Sequence, residues 1–157
     1  TALKTHPKDE DLLYNRALLG EEMGRMDILE RDLRAIIAFN PKSANALNAL
    51  GYTLVEKTPR VDEGLKMIQQ ALRLKPNDPA ILDSLGWAQY KLGDLDQAEL
   101  HLRKAFDVLT DGEVAAHLSE VLYRRGKKQE AKKIWSDAMT KNPESEHLLA
   151  IKDLFND

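Results

Sequence analysis

The chain has 157 residues, with 23 Lys and Arg against 26 Asp and Glu, giving a formal net charge of −3. That length supports one domain with a core of its own, and so small a net charge argues against a nucleic-acid binder that works by neutralising phosphates. There is no cysteine, which excludes disulfides, thiolate metal sites and a cysteine nucleophile, and no apolar run reaches the roughly 18 residues that would span a membrane.

In chain order, the first readable element is a fragment. Thr1 to Pro7 carries Ala2 and Leu3 at the phases that Ala71 and Leu72 hold later, so residues 1–8 read as the tail of a preceding helix. A start at Thr1, with neither Met nor a signal peptide, reads as a cut from a longer array. The prolines then mark a period. Pro7, Pro41, Pro76 and Pro143 are separated by 34, 35 and 67 residues, and Thr110 stands where one more proline would split the last gap into 34 and 33. Each of these positions follows an apolar helical pattern. The units are 9–42, 43–78, 79–111 and 112–144, followed by 145–157.

Within each unit the apolar residues recur at three- and four-residue spacing, the stripe of an amphipathic helix. Leu82, Leu85, Trp87, Ala88 and Leu92 form one stripe, and Ala98, Leu102, Ala105 and Leu109 form its partner. Asp78-Pro79 is a helix start, because Asp accepts a backbone N–H bond and Pro at the first helical position loses none. Ser43 and Ser145 read as similar caps, and Gly93 and Gly126 as residues that take positive φ after a helix. Leu148, Leu149, Ile151, Leu154 and Phe155 read as one more helix that covers the last unit. No segment alternates with period two, so no strand is expected.

A period near 34 with two helices per unit is the tetratricopeptide repeat (TPR) signature. The stretch Leu82-Asp83-Ser84-Leu85-Gly86-Trp87-Ala88-Gln89-Tyr90-Lys91-Leu92-Gly93-Asp94-Leu95-Asp96-Gln97-Ala98, continuing through Leu102 to Ala105, closely resembles that family. The likeness extends over nearly the whole chain in four registers. It implies an all-α fold: a right-handed superhelical solenoid of helix-turn-helix repeats, first helices lining the inner surface, closed by a C-terminal capping helix. The departures are local. Ala17 stands where Gly is usual, Leu29 and Ile36 replace small second-helix residues, Gly64 replaces an alanine, Thr58-Pro59-Arg60 replaces a turn glycine, and Ser119 replaces a further Gly.

Searching for chemistry gives little. No two of His6, His101, His117 and His147 stand at ligand spacing with a carboxylate in a recognisable pattern, so no metal site and no cofactor is read. His101 is expected to face outward, and His117 the inner surface. The eight glycines are scattered rather than gathered into a phosphate loop, and Ser84 and Ser119 lie in helices rather than on a nucleophile elbow. The chain reads as no enzyme. Arg124, Arg125, Lys127, Lys128, Lys132 and Lys133 form a basic cluster without interleaved aromatics, which reads as a solvated face, with an acidic partner or anionic surface as the alternative.

The aromatic distribution is the sharpest signal. All four tyrosines fall on first helices, with Trp87 beside them. Tyr and Trp join large contact area to a polar tip, which suits binding. Inner-surface positions implied by the family resemblance include Tyr14, Asn48, Tyr52, Asp83, Trp87, Tyr90, Glu120, Tyr123 and Arg124, with His117 adjoining. These ten are the expected peptide-binding groove. The Lys, Asn and Arg clamp by which some family members hold a chain-terminal carboxylate is absent; Tyr14, Leu18, Ala49, Ala80 and Ser84 occupy its positions.

The implied function is a non-catalytic scaffold that binds a protein or peptide segment in the concave groove. Two stretches, 45–54 and 81–87, together with Ala115 to Leu122, also resemble the C-terminal repeats of proteobacterial TPR lipoproteins. That resemblance implies an adaptor that brings substrates to a carboxyl-terminal processing protease, placed in the periplasm and anchored at the outer membrane. The alternatives are a self-association module and the recruiting region of a larger enzyme.

Overall fold

The computed structural model describes residues 9–156, so the tail expected over 1–8 lies outside the described residues. Those residues are helical throughout, with no strand among them. The chain divides between Pro76 and Asn77 into two compact units.

The first unit holds α1 (Glu10–Glu22), α2 (Met26–Phe39), α3 (Ala44–Lys57) and α4 (Val61–Leu74). The capping chemistry read from the sequence places their ends. Asp9 accepts from the Leu12 N–H at 3.0 Å, and Ser43 from the Ala46 N–H at 3.3 Å. Such caps satisfy N–H groups that a helix start leaves without partners. Leu13, Ala17, Leu29, Leu33, Ile36, Ala46, Leu50 and Leu54 close into one buried cluster, and Tyr14 packs against it. One buried carboxylate lies in this unit: Asp32, 1% exposed, receives two bonds from Arg16 at 2.6 and 2.8 Å and one from Arg31 at 3.2 Å.

The α3–α4 pair packs without side chains at its crossing. A Cβ added to Gly64 would lie 2.5 Å from the Gly51 carbonyl oxygen, and one added to Gly51 would lie 2.8 Å from the Gly64 oxygen. The turn of this repeat dispenses with the usual glycine. Thr58 is extended, its hydroxyl donates to the Leu54 carbonyl at 2.6 Å, and that hydroxyl accepts from the Arg60 N–H at 3.0 Å. The hydroxyl does the work that a left-handed residue does after α1, where Gly24 has φ +71°.

The second unit holds α5 (Pro79–Lys91), α6 (Leu95–Val108), α7 (Gly112–Arg124) and α8 (Lys128–Lys141). Asp78 caps α5 through the Ala80 and Ile81 N–H groups, with Pro79 in the first turn. Gly93 and Gly126 take φ +87° and +84° in the turns. Ala98, Leu102, Leu118, Val121, Leu122, Ala131 and Phe155 form the core.

The segment after Ser145 differs from the single helix expected. It is a five-residue helix, α9 (Glu146–Ala150), followed by a 3-10 turn over Lys152–Phe155. Leu148 and Phe155 are buried while Leu149 is exposed, so two anchors tie it down rather than a continuous apolar face. The anchoring bond is Trp135 Nε1–H to the Leu148 carbonyl at 2.9 Å, and Trp135 also stacks on Phe155 with ring centres 5.1 Å apart.

Candidate functional site

Seven of the ten expected groove residues lie in the second unit, on α5 and α7. Nearly every side chain from Ile81 to Ala88 and from Val114 to Ser119 is buried, so these two helices form the interior of the unit. Polar residues placed there must find partners, since an unpaired buried polar group costs about 1–3 kcal/mol. Asp83 and His117 find each other: His117 Nδ1 lies 2.9 Å from Asp83 Oδ1. The Trp87 ring stacks on His117, with centres 4.1 Å apart and planes 18° from parallel.

A more open layer follows along the same helices. Tyr90 lies 4.9 Å from Trp87, with Glu120 and Arg124 near its hydroxyl. Burial raises the Tyr90 pKa first and the Glu120 carboxylate raises it further, against the opposing effect of Arg124. Lys91 Nζ sits 5.0 Å from the Trp87 ring centre. Tyr123 meets Phe155 edge to face at 5.7 Å, with Lys128 Nζ 5.0 Å and Arg124 Cζ 5.9 Å from its ring centre. Tyr90, Glu120 and Tyr123 are half-buried and Arg124 is exposed. This aromatic patch is bordered by cations and one carboxylate, and it can take the backbone and side chains of a peptide.

Three expected contact residues are set back from the surface. Trp87, Asp83 and His117 are only 6%, 6% and 5% exposed. They face one another beneath the more open layer, through the Trp87–His117 stacking and the His117–Asp83 contact. The other three expected residues lie in the first unit. Tyr14 is half-buried, and burial, followed by the Glu21 charge, raises its pKa. Tyr52 is half-buried as well. Asn48 has a buried Oδ1 that meets no hydrogen-bond donor among the described residues.

His101 departs from its expected outward position. It is half-buried, its Nδ1 is 2.7 Å from Gln89 Oε1, and burial lowers its pKa. Much of the basic cluster is consumed by partners: Arg125 pairs with Asp96 and Glu99, Lys127 with Glu99, and Lys133 with Asp137. Two residues escaped the sequence reading. Glu113 and His147 adjoin the Asp83–His117 pair, with His147 Nε2 3.8 Å from Glu113 Oε2 and the two imidazole centres 6.2 Å apart. Glu113 and His117 stand one turn apart on one helix, a spacing legible in the sequence, but nothing there shows that His147 returns beside them.

Comparison with known proteins agrees on the repeat. Residues 80–108 match the family described as tetratricopeptide repeat. The TPR repeat-containing protein PA4667 of Pseudomonas aeruginosa is 50% identical over 118 residues, which covers 75% of this chain. The chain matches only 20% of that relative's own length. Among solved structures, a thermophilic TPR protein from Thermus thermophilus superposes with a TM-score of 0.83 at 21% identity, covering 98% of this chain and 85% of that one. YrrB, a TPR protein with an unusual peptide-binding site, superposes with a TM-score of 0.69 at 20% identity, covering 90% of this chain and 73% of that one.

Proposed function

Taking the tetratricopeptide repeat as its building unit, we propose that this chain is a non-catalytic protein-binding module. It receives an extended peptide or partner segment over the patch formed by Tyr90, Glu120, Tyr123 and Arg124. The observation that carries this reading is the half-exposed aromatic layer on two successive first helices, held by buried stacking beneath and rimmed by Arg124 and Lys128. Aromatic and Arg side chains dominate binding energy at interfaces because they bury much area with few torsions. The solved TPR protein described as having a peptide-binding site supports the same use of the fold.

The finer reading is delivery of substrates to a carboxyl-terminal processing protease in the periplasm, from an outer-membrane anchor. It rests on the likeness of 45–54, 81–87 and 115–122 to proteobacterial TPR lipoproteins. Tyr90→Ala with Tyr123→Ala, on a chain of unchanged helicity, should weaken capture of that protease or its substrate peptides by about tenfold or more, since a buried aromatic anchor contributes about 2 kcal/mol. Unchanged capture refutes the patch. Loss of peptide binding in a protein that never engages the protease refutes delivery alone.

A further inference from the structure

We propose that Asp83, Glu113 and His117, completed by His147, bind a zinc-class divalent ion. The first three residues each offer a ligand atom, and these atoms all lie within 4.8 Å of one another. They come from two helices: Asp83 from α5, and Glu113 and His117 from successive turns of α7. Residues four apart share a helix face, which aims the α7 pair together. His147, on α9, adds a second imidazole 3.8 Å from Glu113.

The spacing suits tetrahedral coordination. Zinc bonds to imidazole nitrogen and carboxylate oxygen at about 2.0–2.2 Å, so two ligand atoms on one tetrahedral ion stand about 3.3–3.5 Å apart. The Asp83–His117 separation of 2.9 Å and the Glu113–His147 separation of 3.8 Å fall on either side of that value. The other separations among the first three lie within 4.8 Å, so binding draws the more exposed Glu113 and His147 side chains inward onto the ion.

The surroundings fit as well. Two carboxylates this close repel, and a cation relieves the repulsion. Imidazole with carboxylate oxygen is a donor set that zinc accepts readily. Trp87 stacked on His117 supplies an apolar wall, and such a shell limits water access to a metal. Glu113 and His147, with side chains 35% and 49% exposed, form the side through which an ion enters. For Nδ1 of His117 to give its lone pair to the ion, the imidazole must be neutral with its remaining proton on Nε2, so protons compete with the ion for the imidazoles. Affinity therefore falls as pH falls. The bound ion would tie α5, α7 and α9 together beneath the aromatic patch.

The test uses the untagged chain, stripped with a chelator. Titration calorimetry with Zn2+ should give one saturable site, and Co2+ should give the intense visible absorption of a tetrahedral centre. At Zn2+ one hundredfold above the dissociation constant, Tm should rise by roughly 5–10 °C. Glu113→Gln and His147→Asn alter half-exposed side chains, so both should fold, as circular dichroism can check, and each should weaken binding tenfold or more. His101→Asn should bind as the parent does. No saturable binding, an octahedral Co2+ spectrum, or affinity that survives both substitutions would overturn the site. An equal loss on changing His101 would overturn it too.

Discussion

Replacing Gly64 by Ala sets two effects against each other in the first unit. In a helix interior the substitution normally stabilises by about 0.5–1 kcal/mol, because Ala loses less backbone freedom on folding. At this position the new methyl carbon would lie 2.5 Å from the Gly51 carbonyl oxygen, 2.8 Å from Val55 Cγ2 and 3.2 Å from the Val55 nitrogen. Ordinary contact begins at 3.4 Å, so the shortfall against the oxygen is 3.4 − 2.5 = 0.9 Å. Two of the three neighbours are backbone, so no rotamer change removes the clash and α3 must move from α4. Overpacking of this kind costs about 1–3 kcal/mol. The net expectation is a loss of about 1–2 kcal/mol, or roughly 5–15 °C in Tm for a unit of this size. Thermal and urea unfolding followed by far-UV circular dichroism measures it, with Asn45→Ala on the exposed face of α3 as the propensity control. If Gly64→Ala is as stable as the parent or more so, the helices are not held at the separation on which the reasoning rests.

Three further outcomes follow from the buried polar groups. Arg16→Met strands the Asp32 carboxylate and should cost about 1–3 kcal/mol in urea unfolding, less than a fully buried pair because Arg16 is partly exposed and Arg31 remains. Burial pushes Asp32 up, but the bonds from Arg16 and Arg31 outweigh it and hold its pKa below the ordinary value. A depressed folded pKa gives stability that is present above the unfolded value of about 3.9 and lost as pH falls through the folded one. The Arg16→Met protein should therefore lose less stability on acidification than the parent does. Trp135→Phe keeps the ring contact with Phe155 but leaves the Leu148 carbonyl without its donor. It should cost about 1 kcal/mol, with hydrogen exchange rising first in 146–155. Glu99→Gln should cost about 1–2 kcal/mol at low salt and less at high salt, because Glu99 is bonded by Arg103 at 3.0 Å and Lys127 at 2.8 Å. A penalty that ignores salt would contradict an ionic role.

The helices were legible because their ends are chemical. Asp78-Pro79, Ser43 and Ser145 each cap a helix as expected, and Gly93 and Gly126 take the left-handed conformation that a β-carbon resists. The terminal segment was misread because its apolar spacing at Leu148, Leu149, Ile151, Leu154 and Phe155 is equally consistent with one helix or with two short turns. Only the bond from Trp135 to Leu148 and the burial of Phe155 decide between them. Of the residues expected in the groove, the helix was legible and the depth was not. First-helix position picked out Tyr90, Glu120, Tyr123 and Arg124, but periodicity says which face a side chain occupies and not how deeply it is packed. So Trp87, Asp83 and His117 were expected at a surface from which packing withdraws them.

The repeat also explains why the polar pairs join residues so regularly spaced in the chain. In a stack of similar units, a side chain meets its counterpart one unit on, so the period becomes a contact distance. Asp83 and His117 are 34 apart, and Glu10 and Ser43 are 33 apart. On the second helices the partners are separated by slightly less: Glu30–Arg60 by 30, Arg34–Glu63 by 29, Glu99–Lys127 by 28 and Arg103–Glu130 by 27. The shortening arises because these bonds run from a second helix to the beginning of the next unit's second helix, rather than between equal positions. Each such pair is weak where exposed, but repeated along both units they favour one register over neighbouring ones. The Asp83–His117 pair differs in being buried: there an ordinary repeat contact becomes a polar centre, with Trp87 over it and Glu113 and His147 at its edge.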